Sequence, residues 1–155
     1  MSEIPECFYR ISVKALVLNE TKDKFLICEE ENGMWDLPGG GLDWGTTPQE
    51  DLPREIHEEM GLKISKIADH PAYFVTEKKR NKDEWKALII YETELESLDF
   101  KASDECVRIK FADKSDIETI DVYAGVLRLA EQFDPNKHQG SNYRHLPRPQ
   151  EDFLL

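Results

Sequence analysis

The sequence has few cysteines and no long apolar runs. Its three cysteines, Cys7, Cys28 and Cys106, are odd in number and lack the spacing of metal ligands or of a disulfide framework. No apolar stretch approaches the roughly 20 residues that a membrane-spanning helix needs. The N-terminus has no basic region followed by an apolar run, so no secretion signal is expected. These absences predict a cytoplasmic protein with reduced thiols and no membrane partner.

Basic residues are outnumbered by acidic ones. The chain has 20 lysines and arginines against 32 aspartates and glutamates, which gives a formal net charge of −12. Such a balance argues against nucleic acid or an anionic membrane surface as the main partner. A phosphate-bearing small molecule is still compatible, because a bound metal ion inverts the local field. The length of 155 residues predicts one domain with a real core.

A glycine-rich loop followed by an acidic helix is the stretch around which the chain is organised. The loop is Leu37–Gly41. Thr47 is a suitable N-cap, Pro48 suits the first helical position, and Glu50 closes a capping box. Gly61 is a typical helix stop. The sequence therefore predicts a helix from Pro48 to Gly61.

The predicted helix has an acidic face beside an apolar one. At 100° per residue the acidic side chains fall within an arc of about 100°, and the apolar ones fill the adjacent arc. Like charges at this spacing repel one another, and a divalent cation would compensate them. Hard oxygen ligands suit Mg²⁺ or Mn²⁺. The acids are Glu55, Glu58 and Glu59, and the apolar residues are Leu52, Ile56 and Met60.

The stretch from Gly40 to Leu62 resembles the Nudix box. That pattern has nine fixed positions, occupied in order by Gly, Glu, Arg, Glu, an aliphatic residue, Glu, Glu, Gly and an aliphatic residue. Eight of the nine match here in register. The exception is Thr46, which stands where the family has its first Glu. Pro38-Gly39, just ahead of the box, also looks like the family.

The resemblance implies an α/β fold, the Nudix α/β/α sandwich with a mixed sheet between helices, over residues 1–134. It also implies an enzyme that uses Mg²⁺ or Mn²⁺ to hydrolyse a pyrophosphate linkage in a nucleoside diphosphate derivative or a nucleoside triphosphate. The metal ligands implied are the Gly39 carbonyl, Glu55, Glu58 and Glu59.

The resemblance further implies the remaining catalytic residues. Arg54 would orient the acids without touching the substrate. An acid from a later loop often joins such a site, and Glu105 is the best match, with Asp104 second. Either Glu59 or Glu105 would take the proton of the attacking water. The residues that select the substrate lie outside the box and carry no motif.

Two departures from the family are the evidence for an alternative to the enzyme. In the family the first Glu mainly supports the metal ligands and their Arg, so Thr46 weakens the case for full activity. Glu50 or Asp43 could replace it as the partner of Arg54. Pro53, in mid-helix, should cost roughly 3 kcal/mol or kink the helix. The alternative is a catalytically weak or inactive Nudix-fold protein that binds a nucleotide or a protein partner.

The rest of the chain predicts a sheet, one more helix and a tail. The second helix starts at Ser115 or Asp116 and runs to about Gln132. Residues 135–155 form an extended tail, whose apolar end Phe153–Leu155 could dock on this chain or on a second copy in a homodimer. The predicted strands are Phe8–Leu18, Phe25–Cys28, a short one at Trp35–Leu37, Lys63–Val75, Glu84–Leu95 and Val107–Phe111.

Overall fold

The structure is a computed structural model that describes residues 3, 6–139 and 148–149. Its helices are α1 (Pro48–Met60), α2 (Lys114–Ile117) and α3 (Ala124–Gln132), followed by a short 3-10 helix at Pro135–His138. Its strands are β1 (Tyr9–Leu16), β2 (Phe25–Glu29), β3 (Trp35–Asp36), β4 (Gly39–Gly41), β5 (Ile64–Ile67), β6 (Tyr73–Lys78), β7 (Trp85–Leu95), β8 (Arg108–Ala112) and β9 (Arg148–Pro149).

A mixed sheet forms the centre of the fold. Its strand order is β4-β1-β7-β5-β9, with β6 also paired to β7. The β1–β7 pair is parallel, and the other pairs of this sheet are antiparallel. A smaller antiparallel sheet has the order β3-β2-β8.

Helices cover both faces of the central sheet. Ala15 and Leu16, neighbours on β1, are both fully buried, and they belong to different core clusters. Ala15 packs with the apolar stripe of α1, and Leu16 packs with α3. The predicted mixed sheet between helices is therefore confirmed. The strands predicted at Phe8–Leu18, Phe25–Cys28, Glu84–Leu95 and Val107–Phe111 begin and end within two residues of β1, β2, β7 and β8.

The local signals at the ends of α1 are confirmed. The Thr47 side chain accepts a hydrogen bond from the backbone N–H of Glu50, and the Glu50 side chain accepts one from the N–H of Thr47. Gly61 ends the helix in the left-handed conformation, with φ of 67°. Between these caps the helix runs unbroken through Pro53. The apolar stripe on the sheet and the two caps stabilise the helix against the loss of the Pro53 N–H.

The predicted long strand Lys63–Val75 is wrong, because it divides into β5 and β6. Pro71 lies in the interruption, and proline lacks the N–H that a continuous ladder needs. Both pieces still pair with the same partner: β5 with the C-terminal part of β7, and β6 with its N-terminal part.

The single helix predicted to run to Gln132 is also wrong. Asp113, and not Ser115 or Asp116, caps α2, which ends at Ile117. The chain then lies along β3, where the N–H of Trp35 donates to the Asp121 carbonyl at 2.9 Å. Because the residues between the two helices pair with the edge of β3, they are not helical, and α3 begins at Ala124.

The predicted extended tail is wrong at its start. Residues 135–138 form the 3-10 helix, and this turn places His138 in the interior, 2% exposed. One imidazole nitrogen lies 2.7 Å from a Glu92 carboxylate oxygen, and the other lies 2.8 Å from the Tyr73 hydroxyl. The apolar end at Phe153–Leu155 lies outside the described residues. Among the described residues, no helix has the length and apolarity to cross a membrane.

Candidate functional site

A cavity of about 290 Å³ lies where the glycine turn, β1 and α1 meet. The predicted site residues Gly39, Glu55, Glu59 and Glu105 all line it. Predicted site residues from three separate parts of the chain therefore share one space. The other side chains of the lining that carry charge are Lys14, Glu30, Asp36 and Lys86.

Two glycines allow the backbone to approach the acids closely. Gly39 has φ of 134°, and a Cβ on it would lie 2.1 Å from the Val13 carbonyl oxygen of the neighbouring strand. A Cβ on Gly40 would lie 2.5 Å from the carboxyl group of Glu55. Gly39 is thus required by strand pairing, and Gly40 by the position of Glu55.

Glu59 is the most buried acid of the predicted set, with 8% of its surface exposed. The N–H of Gly39 donates a hydrogen bond to its carboxylate at 3.4 Å. Burial raises its pKa to about 8, against the lowering effect of the Lys14 ammonium. A buried carboxyl group with so high a pKa gains from a cation beside it.

Glu55 lies at the edge of the same cavity. Burial raises its pKa above the usual value, and the charges of Glu58 and Glu105 act in the same direction. The guanidinium of Arg54, 3.2 Å away, opposes them. Glu105 also raises the pKa of Glu59, so this exposed loop acid interacts with both helix acids.

Arg54 and Glu58 lie outside the cavity lining and pair with each other. One guanidinium nitrogen of Arg54 lies 3.2 Å from the Glu58 carboxylate, and the Glu58 side chain is 56% exposed. Arg54 also lies 3.6 Å from the carboxylate of Asp43, one of the two acids suggested as its partner in place of the missing first Glu. The suggestion of Glu50 is wrong, since its carboxylate is held by the capping box.

The main replacement partner is Asp51, which the sequence reasoning missed. Its buried carboxylate accepts hydrogen bonds from the Thr46 hydroxyl and from the N–H of Asp43, both at 2.9 Å. Arg54 lies 3.5 Å from it. Burial alone would raise the pKa of Asp51, but these donors outweigh burial and hold the pKa below its usual value. The i,i+3 spacing of Asp51 and Arg54 was the available signal.

Lys14 is a second residue of the site that the sequence reasoning missed. It lies on β1 opposite Gly39, and its ammonium donates to the Asp36 carboxylate at 3.3 Å, to the Leu37 carbonyl at 3.2 Å and to the Gly39 carbonyl at 3.4 Å. Burial lowers the pKa of Lys14, but the carboxylates of Asp36 and Glu59 outweigh burial and raise it overall. Its position in an alternating strand gave no sign of this contact.

Asp104, the second candidate from the loop, does not line the cavity. It lies in a neighbouring groove of about 410 Å³, where Glu105 contributes to both spaces. The backbone carbonyl of Asp104 accepts a hydrogen bond from the N–H of Glu31 at 3.0 Å. The loop therefore presents Glu105, rather than Asp104, to the helix acids.

The chemistry of the cavity fits a hard divalent cation. The helix acids Glu55 and Glu59 line it together with Gly39, and Mg²⁺ is usually held by one or two carboxylates together with waters and substrate phosphates. Within residues 3, 6–139 and 148–149, no group of three or more His, Cys, Asp or Glu side chains is close enough to hold a metal ion. A third protein carboxylate would need a side-chain movement.

Comparison with known proteins gives the family. A sequence model described as the NUDIX domain matches residues 8–133. An RNA pyrophosphohydrolase from Francisella tularensis is 38% identical over 55 residues, which cover 36% of this chain and 36% of that protein. A putative 8-oxo-dGTP diphosphatase from Bacillus subtilis is 44% identical over 58 residues, covering 37% and 39% respectively. The matched segment thus spans little more than a third of each relative.

A solved structure extends the likeness over the whole fold. The crystal structure of a MutT protein from Methanosarcina mazei has a TM-score of 0.66 and 28% sequence identity, and the match covers 88% of this chain and 100% of that one. The domain match, the fold and the eight box residues in register agree. The chain belongs to the Nudix family.

Proposed function

We propose that this protein is a Mg²⁺- or Mn²⁺-dependent pyrophosphohydrolase. Its substrate would be a nucleoside diphosphate derivative or a nucleoside triphosphate, cleaved at a pyrophosphate linkage. The observation that carries the proposal is the position of Glu59. This acid is buried beside the Gly39 backbone in a cavity that also holds Glu55 and Glu105, and its pKa of about 8 marks a site in need of a cation.

The metal ligands in this proposal are Glu55, Glu59 and the Gly39 carbonyl oxygen. Glu58 joins them after its side chain leaves Arg54. Both are exposed where they pair, and such pairs are worth only about 0–1 kcal/mol, so this movement costs little. When bound, a divalent ion offsets the charge of the diphosphate oxygens and lowers the pKa of a water molecule.

Glu105 is the proposed general base. Glu59 is enclosed and is expected to serve as a ligand, which leaves its oxygens engaged. Glu105 is exposed, lies on a loop, and acts electrostatically on both Glu55 and Glu59. A carboxylate in that position is able to accept the proton of a water molecule that enters from solvent.

Arg54 and Asp51 are proposed to position the acids. Arg54 contacts Glu55 and Glu58 directly, and Asp51 holds Arg54 from the other side. In the family the first Glu of the box supports the metal ligands and their Arg. We infer that Asp51, with the Thr46 hydroxyl, takes over this support.

The alternative function is binding without hydrolysis. Two residues support it: Thr46, which stands in place of an acid, and Pro53, which lies inside α1. Two observations weigh against it: α1 continues through Pro53, and Asp51 supplies a buried carboxylate beside Arg54. A metal-free binding module would also have no use for a buried acid beside the glycine turn.

The names of the relatives suggest which substrates to test. One is called an RNA pyrophosphohydrolase and another a putative 8-oxo-dGTP diphosphatase. The panel should therefore contain a 5′-triphosphorylated RNA and an oxidised nucleotide besides ordinary nucleotides and nucleoside diphosphate derivatives. The net charge of −12 favours the small molecules over RNA.

The cytoplasmic location, the domain boundary at residue 134 and a homodimer stay predictions.

The test is release of phosphate, pyrophosphate or nucleoside monophosphate from each member of this panel. Each reaction is run with Mg²⁺, with Mn²⁺ and with a chelator. Metal-dependent turnover of at least one substrate is expected. An absence of turnover on every substrate, together with a metal-dependent rise in melting temperature, would favour the binding protein.

A further inference from the structure

The ammonium of Lys14 and the proposed metal ion share an acceptor. The Gly39 carbonyl oxygen is the backbone atom that would ligate the metal, and it accepts a hydrogen bond from Lys14 Nζ at 3.4 Å. The register of β1 and β4 sets Lys14 directly opposite Gly39, and the Lys14 side chain is only 9% exposed. The lysine is therefore held over this carbonyl by the sheet itself.

The two cations would lie very close together. A metal–oxygen distance of about 2.1 Å and the observed 3.4 Å put them no more than about 5.5 Å apart if both contact this oxygen. A unit charge and a double charge at that separation repel strongly even at an effective dielectric constant of about 20. Simultaneous contact is therefore unfavourable.

Lys14 has other acceptors within reach. Its Nζ lies 3.3 Å from the Asp36 carboxylate and 3.2 Å from the Leu37 carbonyl, both on the side of the chain that leads into the glycine turn. The ammonium can give up the Gly39 carbonyl and still keep two partners, one of them charged. A small movement of the lysine head group is then enough to release the metal ligand.

We propose that Lys14 is a positioning residue that competes with the divalent cation for the carbonyl oxygen of Gly39. The inference rests on the proposed metal site. In the absence of metal the lysine holds Gly39 and Asp36 in place and supplies positive charge beside Glu59. Metal binding displaces the ammonium from Gly39, so the affinity for metal is set partly by this residue.

The direct test is Mn²⁺ binding by the intact protein, measured by titration calorimetry and by the electron paramagnetic resonance signal of free Mn²⁺. Lys14→Met keeps the length and apolar stem of the side chain and removes the ammonium. We expect it to bind Mn²⁺ about tenfold more tightly than the wild type, since a cation beside the metal is lost. Unchanged or weaker binding would overturn the proposal.

Two further variants separate competition from net charge. The side chain of Lys86 lines the same cavity and makes no hydrogen bond or ion pair with any residue that the structure describes, so Lys86→Met removes a charge without freeing Gly39. It should change the Mn²⁺ affinity by less than about threefold. Lys14→Met/Asp36→Asn leaves the net charge unaltered and should still bind more tightly than the wild type. A double variant with wild-type affinity would show a charge effect only, and would contradict competition.

These outcomes distinguish the inference from the proposed function. Wild-type turnover with Mn²⁺, combined with unaltered binding in Lys14→Met, would overturn the role of Lys14 and leave the enzyme intact. Tighter Mn²⁺ binding by Lys14→Met than by the wild type, without turnover by the wild type, would support competition and count against the enzyme. Absence of both binding and turnover in every variant would overturn both proposals.

A measurement on the wild type covers the case in which Lys14→Met does not fold. Lysine ε-methylene signals are followed by NMR during a Mg²⁺ titration, with the Lys14 signal assigned from Lys14→Arg. We expect this signal to shift and to saturate together with metal binding, by more than the Lys86 signal shifts. A Lys14 signal that stays in place while Mg²⁺ binds would overturn the proposal.

Discussion

The hydroxyl of Thr46 donates a hydrogen bond to the carboxylate of Asp51 across 2.9 Å. A buried acid on α1 therefore lies beside position 46, where the family has its own acid. The same carboxylate accepts the N–H of Asp43 and contacts Arg54. Thr46, which departs from the family pattern, is thus hydrogen-bonded to an acid that contacts the same arginine.

We expect Asp51→Asn to destabilise the protein by about 1–3 kcal/mol. Asparagine replaces one carboxylate oxygen by an N–H donor group, at a buried position where the surrounding groups are themselves hydrogen-bond donors. Urea unfolding followed by circular dichroism measures the loss. Asp99→Asn, at an exposed position, should be close to neutral. Equal losses in the two variants would contradict the role given to Asp51.

Much of the helix and its ends was predictable because the signals are local. Thr47, Glu50 and Gly61 act within a few residues of one another, and the box fixes the register of the acids. Asp51 lies in the same helix, three residues before Arg54, but the favourable i,i+4 order of an acid and a base indicates Glu50 as the partner of Arg54.

The remaining errors arise from contacts between distant parts of the chain. The pairing of Lys14 with Asp36 joins strands that are 22 residues apart in sequence. His138 finds Glu92 only because the chain turns back after α3, and it lay in a segment predicted to be an extended tail. Similarly, the break between α2 and α3 depends on the edge of β3, which a helical period cannot reveal.

The buried carboxyl of Glu59 predicts a pH-dependent stability of the metal-free protein. Its pKa rises from 4.5 to about 8 on folding, so between these values the folded state holds a proton that the unfolded state releases. The contribution of Glu59 to stability is therefore fully present below about pH 4.5, decreases as the pH rises, and is lost above about pH 8.

Melting temperatures between pH 5 and pH 8.5, in a chelating buffer, measure this effect. We expect Glu59→Gln to decline less over the range than the wild type, because a neutral amide releases no proton. Glu50→Gln, at an exposed position of the same helix, should retain the wild-type decline. Parallel curves for the wild type and Glu59→Gln would exclude the predicted titration.

The two glycines of the turn predict different consequences of the same substitution. Gly39→Ala should cost on the order of 3 kcal/mol, since its Cβ meets the Val13 carbonyl and its φ of 134° suits only glycine. Gly40 lies outside the left-handed region, and the atoms nearest to its Cβ would all belong to the flexible end of Glu55. Gly40→Ala should therefore fold with nearly wild-type stability and bind Mn²⁺ at least about tenfold more weakly.

Thermal unfolding and Mn²⁺ titration of both variants check this difference. A Gly40→Ala protein with wild-type Mn²⁺ affinity would show that Glu55 need not occupy its observed position.

The buried His138 predicts a stabilising role for the chain after α3. His138→Ala should lower the free energy of unfolding by about 3 kcal/mol, because it leaves the Glu92 carboxylate enclosed without its partner. Chemical denaturation measures the change, with the exposed His70→Ala as control. Equal effects of the two substitutions would argue that the contact with Glu92 contributes nothing.

We propose that the acids around the Gly39 turn form a metal-dependent catalytic site. The most direct measurement is the kcat of Glu59→Gln against that of Glu50→Gln, on the best substrate of the panel and at saturating Mn²⁺. Both substitutions remove one carboxylate from α1, and glutamine at position 50 preserves the capping box. We predict a loss of at least about 100-fold for Glu59→Gln and a change of less than about twofold for Glu50→Gln. Wild-type turnover by Glu59→Gln would contradict the account.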